Sequence, residues 1–79
     1  IFEMPETDAE TLEMAVAPGC PAAGKAIRDA GLPPGVIVGA VVHGGEIVVP
    51  RGDTILRPED SVVLFALPKA IPDVEWLFG

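Results

Sequence analysis

Aromatic and basic residues are scarce in this chain, and tyrosine is absent. Only 5% of the 79 residues are aromatic. A core must therefore be built from Val, Ile, Leu and Ala, and β-branched side chains favour strands. Five basic residues oppose twelve acidic ones, which gives a net charge of −7. This charge repels phosphate backbones, so nucleic acid is not expected as a partner.

Cysteines and long apolar runs are also missing. The single cysteine, Cys20, excludes an internal disulfide framework and a cysteine-rich metal cluster. The longest apolar runs, such as Val36 to Val42, fall far short of the roughly 20 residues that cross a bilayer, so no direct membrane insertion is expected. The chain begins with Ile1 rather than methionine, and we expect it to be a module of a longer protein.

Catalytic residues are poorly represented as well. The candidate nucleophiles include Cys20 and Ser61, and none of them lies in a recognisable local motif. The glycines form neither a GxGxxG dinucleotide motif nor a phosphate loop. The sequence therefore predicts a domain that is not an enzyme and that has no cofactor or metal ion of its own. His43 stays a weak candidate for ligand binding or titration.

The acidic residues are concentrated at the start of the chain. Segment 1–10 lacks periodicity, and we interpret it as an acidic arm or linker that precedes a domain of residues 11–79. Its acids could gather a hard cation, but they lack the alternating ligands and the glycine of an EF-hand loop, so a solvated arm is preferred. The acids considered are Glu3, Glu6, Asp8, Glu10 and Glu13.

The domain begins with a predicted strand and a predicted helix. Thr11 to Val16 alternates polar and apolar residues, which is typical of a half-buried strand. Residues 22–30 place Ile27 and Ala30 on one face of a helix that would cover the sheet. Gly31 would end that helix in a left-handed conformation.

Strands dominate the remainder. Val36–His43 is nearly all apolar, and a two-glycine turn joins it in a predicted hairpin to Glu46–Val49. Ser61–Leu67 is a second apolar strand, expected at the centre of the sheet, and residues 71–78 have the spacing of a short C-terminal helix. The order of elements predicts an α+β fold of βαβββ type, with a single mixed sheet, one covering helix and the C-terminal helix.

The strand Val36 to Val42 is apolar on both faces, whereas one helix layer can cover only one of them. A self-complementary twofold contact would hide the other face. A chain of this length also buries only about 60% of its unfolded surface, so a partner surface would stabilise it. The sequence therefore predicts a homodimer.

Several blocks of the sequence resemble one family. GKAI at residues 24–27, LPPGVIVGAVV at residues 32–42 and DTILRPEDSVVLF at residues 53–65 resemble TrkA C-terminal domains, also called RCK C-terminal domains. The ending DVEWLF at residues 73–78 is similar as well. The shared order and spacing of these blocks, which cover nearly the whole chain, carry the resemblance.

The resemblance implies a regulatory module. It implies a domain that follows a Rossmann domain binding a nucleotide of the NAD or ATP type and that pairs with a second copy. It also implies a cytoplasmic ring, peripheral to the inner face of the membrane, in which effector binding is coupled to gating of a membrane potassium transporter. The alternatives are the same module serving another transporter or a transcriptional regulator, and an independent small-molecule or metal sensor.

The resemblance also indicates an effector site. Some relatives bind a cyclic dinucleotide between two C-terminal domains, through polar residues, notably an arginine, near the connector that follows the first helix. Here the connector Leu32-Pro33-Pro34-Gly35 has no such side chain. This departure argues against a cyclic dinucleotide and leaves another small effector at a twofold interface. The candidate contacts are Ile27, Leu32, Ile37, Val38, His43 and Pro50.

Overall fold

A computed structural model describes residues 8–79 and shows one four-stranded sheet with a C-terminal helix. Most of the predicted acidic arm, residues 1–7, lies outside the described residues. The strands are β1 (Glu10–Ala15), β2 (Val36–His43), β3 (Glu46–Val48) and β4 (Ser61–Ala66), and the helix α1 spans Ile71–Phe78. The strand order is β1-β4-β2-β3.

The predicted α+β class, the single sheet and the C-terminal helix are confirmed, but the sheet is not mixed. β4 pairs antiparallel with β1 on one side and with β2 on the other, and β2 pairs antiparallel with β3. β1 and β2 therefore run parallel to each other without being neighbours, because β4 lies between them. A mixed sheet needs a parallel pair of neighbouring strands, and the central position of β4 leaves none among these four strands.

The predicted covering helix over residues 22–30 was wrong. Only a single 3₁₀ turn, Ile27–Asp29, forms within it. Gly24 has a left-handed φ of 81°, and Ala26 is extended, with a ψ of 151°. Both conformations interrupt an α-helix. The segment therefore forms a series of turns, although its apolar residues have helical spacing.

Backbone hydrogen bonds to another segment explain why these turns replace the helix. The Gly24 N–H donates to the Leu56 carbonyl over 2.7 Å, and the Leu56 N–H donates to the Lys25 carbonyl over 2.9 Å. Ala26 and Ile55 form an isolated antiparallel bridge. The backbone N–H and C=O groups that would pair within a helix thus pair with residues 54–56 instead. The local spacing of apolar residues cannot reveal such a long-range pairing.

The hairpin of β2 and β3 was predicted correctly. Gly44 and Gly45 form its turn with φ values of 55° and 82°, and such positive values at both turn positions suit the twist of a two-residue hairpin. A register shift between Val38 and Ala40 places a bulge at Gly39. A Cβ atom on Gly39 would lie 2.6 Å from Cε2 of Phe65, so the aromatic ring packs directly over this glycine.

The sheet has one covered face and one uncovered face. On β4, Val62, Leu64 and Ala66 have no exposed surface, whereas the alternate residues are only half-buried. Side chains that alternate along a strand point to opposite faces. The covered face packs against turns of residues 16–30, the 54–56 segment and α1, through Val16, Cys20, Ala22, Ala30, Leu56, Val74, Leu77 and Phe78.

We name the opposite face the outer face. Among its apolar residues, Ile37 is 67% exposed and Ile47 is 75% exposed. The β1 end of this face is polar, since Thr11 and Glu13 pair with β4 there. By the register of the strands, the apolar part of the outer face comprises Ile37, Ala40, Val42, Ile47, Val63 and Phe65.

Leu56 should be essential for the stability of this fold. Its side chain is fully buried and its backbone joins the 54–56 segment to the turns at residues 24–26. We expect Leu56→Ala to lower the free energy of unfolding by about 2–5 kcal/mol, and urea denaturation measures it. Ile55→Ala, at an adjacent residue that is 41% exposed, should cost below about 1 kcal/mol. Equal losses in the two variants would contradict this packing.

Candidate functional site

A cleft lies beside the part of β2 that β3 does not reach. β3 pairs only with Val41, Val42 and His43. Residues 36–38 of β2 therefore have no β3 partner, and they line this cleft instead. The cleft has a volume of about 310 Å³ and is named the edge cleft here. It is lined by Ile27, Leu32, Val36, Ile37, Val38, Pro50, Arg51 and Gly52.

Five of the six predicted effector contacts meet in the edge cleft, although they come from separate parts of the chain. Ile27 belongs to the 3₁₀ turn, and its N–H donates to the Thr54 carbonyl over 2.9 Å. Leu32 follows that turn, and Pro50 follows β3. The remaining two contacts, Ile37 and Val38, lie on β2. The sixth residue, His43, lines a different cleft.

The sequence analysis missed Arg51, which supplies a positive charge to the edge cleft. Its backbone N–H donates to Oγ1 of Thr54 over 2.9 Å, and the Thr54 N–H donates to the Arg51 carbonyl over 3.0 Å. These two bonds close a turn that fixes the backbone of Arg51. Leu32, from the connector that lacks an arginine, thus lines the same cleft as an arginine from a distant segment of the chain. The only sequence signal was its position directly after Pro50.

The second cleft lies beneath the β2–β3 hairpin and is named the hairpin cleft. It has a volume of about 200 Å³, with lining residues Val41, His43, Val48, Thr54, Ile55, Arg57 and Asp60. Nδ1 of His43 lies 2.5 Å from Oδ1 of Asp60. Asp60 is only 3% exposed, and its Oδ2 accepts a hydrogen bond from the Arg57 N–H over 3.2 Å. The carboxylate is therefore buried with both oxygens in hydrogen bonds.

Between residues 8 and 79, no three His, Cys, Asp or Glu side chains come together in a way that could hold a metal ion. No helix in that same part of the chain has the length and hydropathy needed to cross a bilayer.

Two solved structures share this architecture. The structure of an RCK domain with cda has a TM-score of 0.77 and 17% identity, covering 87% of this chain and 97% of that one. The RCK_C domain dimer of S. agalactiae BusR in complex with c-di-AMP has a TM-score of 0.75 and 18% identity, covering 86% and 93%. At these identities the likeness shows the fold, which is that of an RCK-type C-terminal domain.

Sequence relatives identify the family to which this chain belongs. The family model of the TrkA-C domain matches residues 11–79. The Trk system potassium uptake protein TrkA of Azorhizobium caulinodans is 45% identical over 71 residues, which are 90% of this chain and 14% of that protein. The TrkA homolog of Archaeoglobus fulgidus is 37% identical over 89% of this chain and 16% of its own length. The chain belongs to the TrkA-C domain family and spans a small part of these relatives.

Charge should be tolerated on the outer face of β2 and not on its covered face. Ile37 is 67% exposed and Val41 is 1% exposed, although both lie on β2. We expect Ile37→Lys to change the free energy of unfolding by less than about 1 kcal/mol when the protein is dilute. Val41→Lys should unfold the domain, because it buries an unpaired charge. Circular dichroism during thermal melting distinguishes them, and unfolding by Ile37→Lys would contradict the assigned faces.

Proposed function

We propose that this domain is the regulatory module of a TrkA-type potassium uptake system, which pairs with a second copy and couples effector binding to transporter gating. The observation that carries the proposal is that an exposed apolar sheet face and a cleft lined by an arginine share one residue, Ile37. A ligand in the edge cleft would therefore lie at the rim of the surface between two copies.

Pairing is supported by the chemistry of the outer face. Ile37 and Ile47 are mostly exposed, and the neighbouring Val63 and Phe65 are half-buried. An apolar face of this kind is exposed to water in a single copy. A self-complementary twofold contact between two copies would bury it. A dimer is also the form in which the related BusR domain was solved.

Effector binding is supported by the composition of the edge cleft. Its walls are mostly aliphatic, through residues such as Ile27, Leu32 and Ile37, while Arg51 provides a guanidinium group. Aliphatic walls accept a flat ring, and a guanidinium recognises phosphate or carboxylate oxygens. These features suit a nucleotide-like anion. The two related structures contain cda and c-di-AMP respectively, so cyclic di-AMP is the first probe, even though the connector lacks the arginine of some relatives.

The rest of the proposed system lies beyond this chain. The relatives are named as potassium uptake proteins, and the chain spans 14% and 16% of two of them. We place an NAD- or ATP-type nucleotide on a preceding Rossmann domain and the whole protein at the cytoplasmic side of the membrane, next to a potassium transporter subunit. An effector that binds one arrangement of the two copies more tightly would shift the population toward it, which is the energetic requirement for coupling.

Dimerisation through the outer face should be sensitive to charge at Ile37. We expect the wild-type domain to show a monomer–dimer equilibrium in sedimentation velocity, and Ile37→Lys to weaken it by at least about tenfold, because a lysine at the contact must be desolvated. Thr11→Lys adds the same charge at the polar β1 end of the same face and should have a much smaller effect. A wild-type domain that is monomeric at millimolar concentration would refute dimerisation.

Arg51 should control effector binding. In calorimetric titrations with cyclic di-AMP, we expect Arg51→Gln to raise the dissociation constant by about tenfold or more, the cost of a lost charged hydrogen bond. Arg57→Gln is the matched control, because Arg57 lines the hairpin cleft instead. Binding that is lost equally in both variants would point to net charge rather than the edge cleft. No binding by the wild type would remove cyclic di-AMP as the effector.

A further inference from the structure

His43 is the predicted site residue that the edge cleft does not contain, and its actual contacts suggest another role. It is the last residue of β2, and its side chain remains 58% exposed while it contacts a carboxylate that is almost completely buried. A solvated histidine at a hairpin would need no such partner. The ring is therefore held against the hairpin cleft by Asp60.

Asp60 is a rigid anchor for this contact. Its Oδ2 accepts the Arg57 N–H, and its backbone carbonyl accepts the Val16 N–H over 2.7 Å. The Glu59 N–H in turn donates to the Val16 carbonyl over 3.0 Å. The carboxylate is thus fixed to the turn before β4, and the Asp60 backbone is fixed to the residue that follows β1.

β3 is the element that this contact restrains. It has three residues, all of them exposed, and it joins the sheet only through β2, where Glu46 is the register partner of His43. Beneath it lies the open volume of the hairpin cleft. Two residues after β3 ends at Val48, the chain reaches Pro50, which forms one wall of the edge cleft. Movement of β3 toward or away from the hairpin cleft would therefore move that wall.

We infer that His43 and Asp60 are positioning residues, which hold the β2–β3 hairpin in place and so set the position of the Pro50 wall of the edge cleft. The expected effect on effector binding rests on the proposed function, whereas the expected effect on the hairpin does not. The charged groups that face the His43 ring are Asp60 and Arg57 from the segment before β4 and Glu46 from β3.

Two variants separate this role from simple packing. In His43→Asn, the side-chain amide nitrogen can take the place of Nδ1 and donate to Asp60. In His43→Ala, the contact is lost. Both changes are at an exposed residue, and retained amide protection in β4 checks that each variant is folded.

The test is amide hydrogen exchange followed by NMR, without any ligand and at a dilution that keeps the protein monomeric. We expect the protection of β3 amides, relative to β4, to fall about fivefold in His43→Ala and to stay near the wild-type value in His43→Asn. The amide shifts of Arg51 and Gly52, at the edge cleft, should move in His43→Ala and stay near wild type in His43→Asn. Wild-type protection of β3, or unmoved cleft amides, in His43→Ala would overturn the inference.

A parallel titration with cyclic di-AMP distinguishes this inference from the proposed function. If cyclic di-AMP binds, we expect its dissociation constant to rise a fewfold in His43→Ala and to stay near the wild-type value in His43→Asn. Equal binding by the wild type and His43→Ala would contradict the positioning role while leaving the proposed function intact. Failure to bind, combined with the predicted exchange pattern, would count against the effector and support the positioning of the hairpin.

Discussion

The structure depends on one constraint, which is that a single layer can cover only one face of an apolar sheet. β4 and β2 carry apolar side chains on both faces, and the covering layer of turns and α1 is placed entirely on one of them. Burial is therefore complete on Val62, Leu64 and Ala66 and incomplete on the residues between them.

The same segment of chain connects the core, both clefts and the hairpin. Thr54 accepts the Ile27 N–H through its carbonyl and closes the turn that places Arg51. Leu56, two residues later, is fully buried. Segment 51–56 thus contributes Arg51 and Gly52 to the edge cleft and Thr54 and Ile55 to the hairpin cleft, whereas β3 pairs only with β2. A change in either cleft is expected to appear as movement of β3 rather than of the core.

The sequence predicted those features that depend on local rules. Alternation identified β1 and continuous apolar runs identified β2 and β4, each to within a residue or two. Gly44-Gly45 identified the hairpin, and the helical spacing of Ile71, Val74 and Phe78 identified α1. The helix over residues 22–30 was wrong because its backbone bonds to residues 54–56 are non-local. The antiparallel order could not be read locally either, since it depends on β4 lying between β1 and β2.

The candidate site was predictable to a similar degree. Resemblance to a family brought together the residues Ile27, Leu32, Ile37, Val38 and Pro50, which the fold places in one cleft. Arg51 was missed because an exposed arginine in a turn has no periodicity, and its proximity to Leu32 arises only from the fold. His43 was separated from the group because its partner, Asp60, is 17 residues away in sequence. Local sequence patterns do not show which charged and hydrogen-bonding groups of distant segments come together in the fold.

The central claim is that the outer face is where two copies meet, and a methyl NMR dilution series tests it most directly. The account predicts that the methyl signals of Ile37, Ile47 and Val63, on the outer face, shift together as the protein is diluted, while those of Leu64 and Val41 on the covered face do not. Shifts confined to residues around α1, or signals that are independent of concentration, would contradict it.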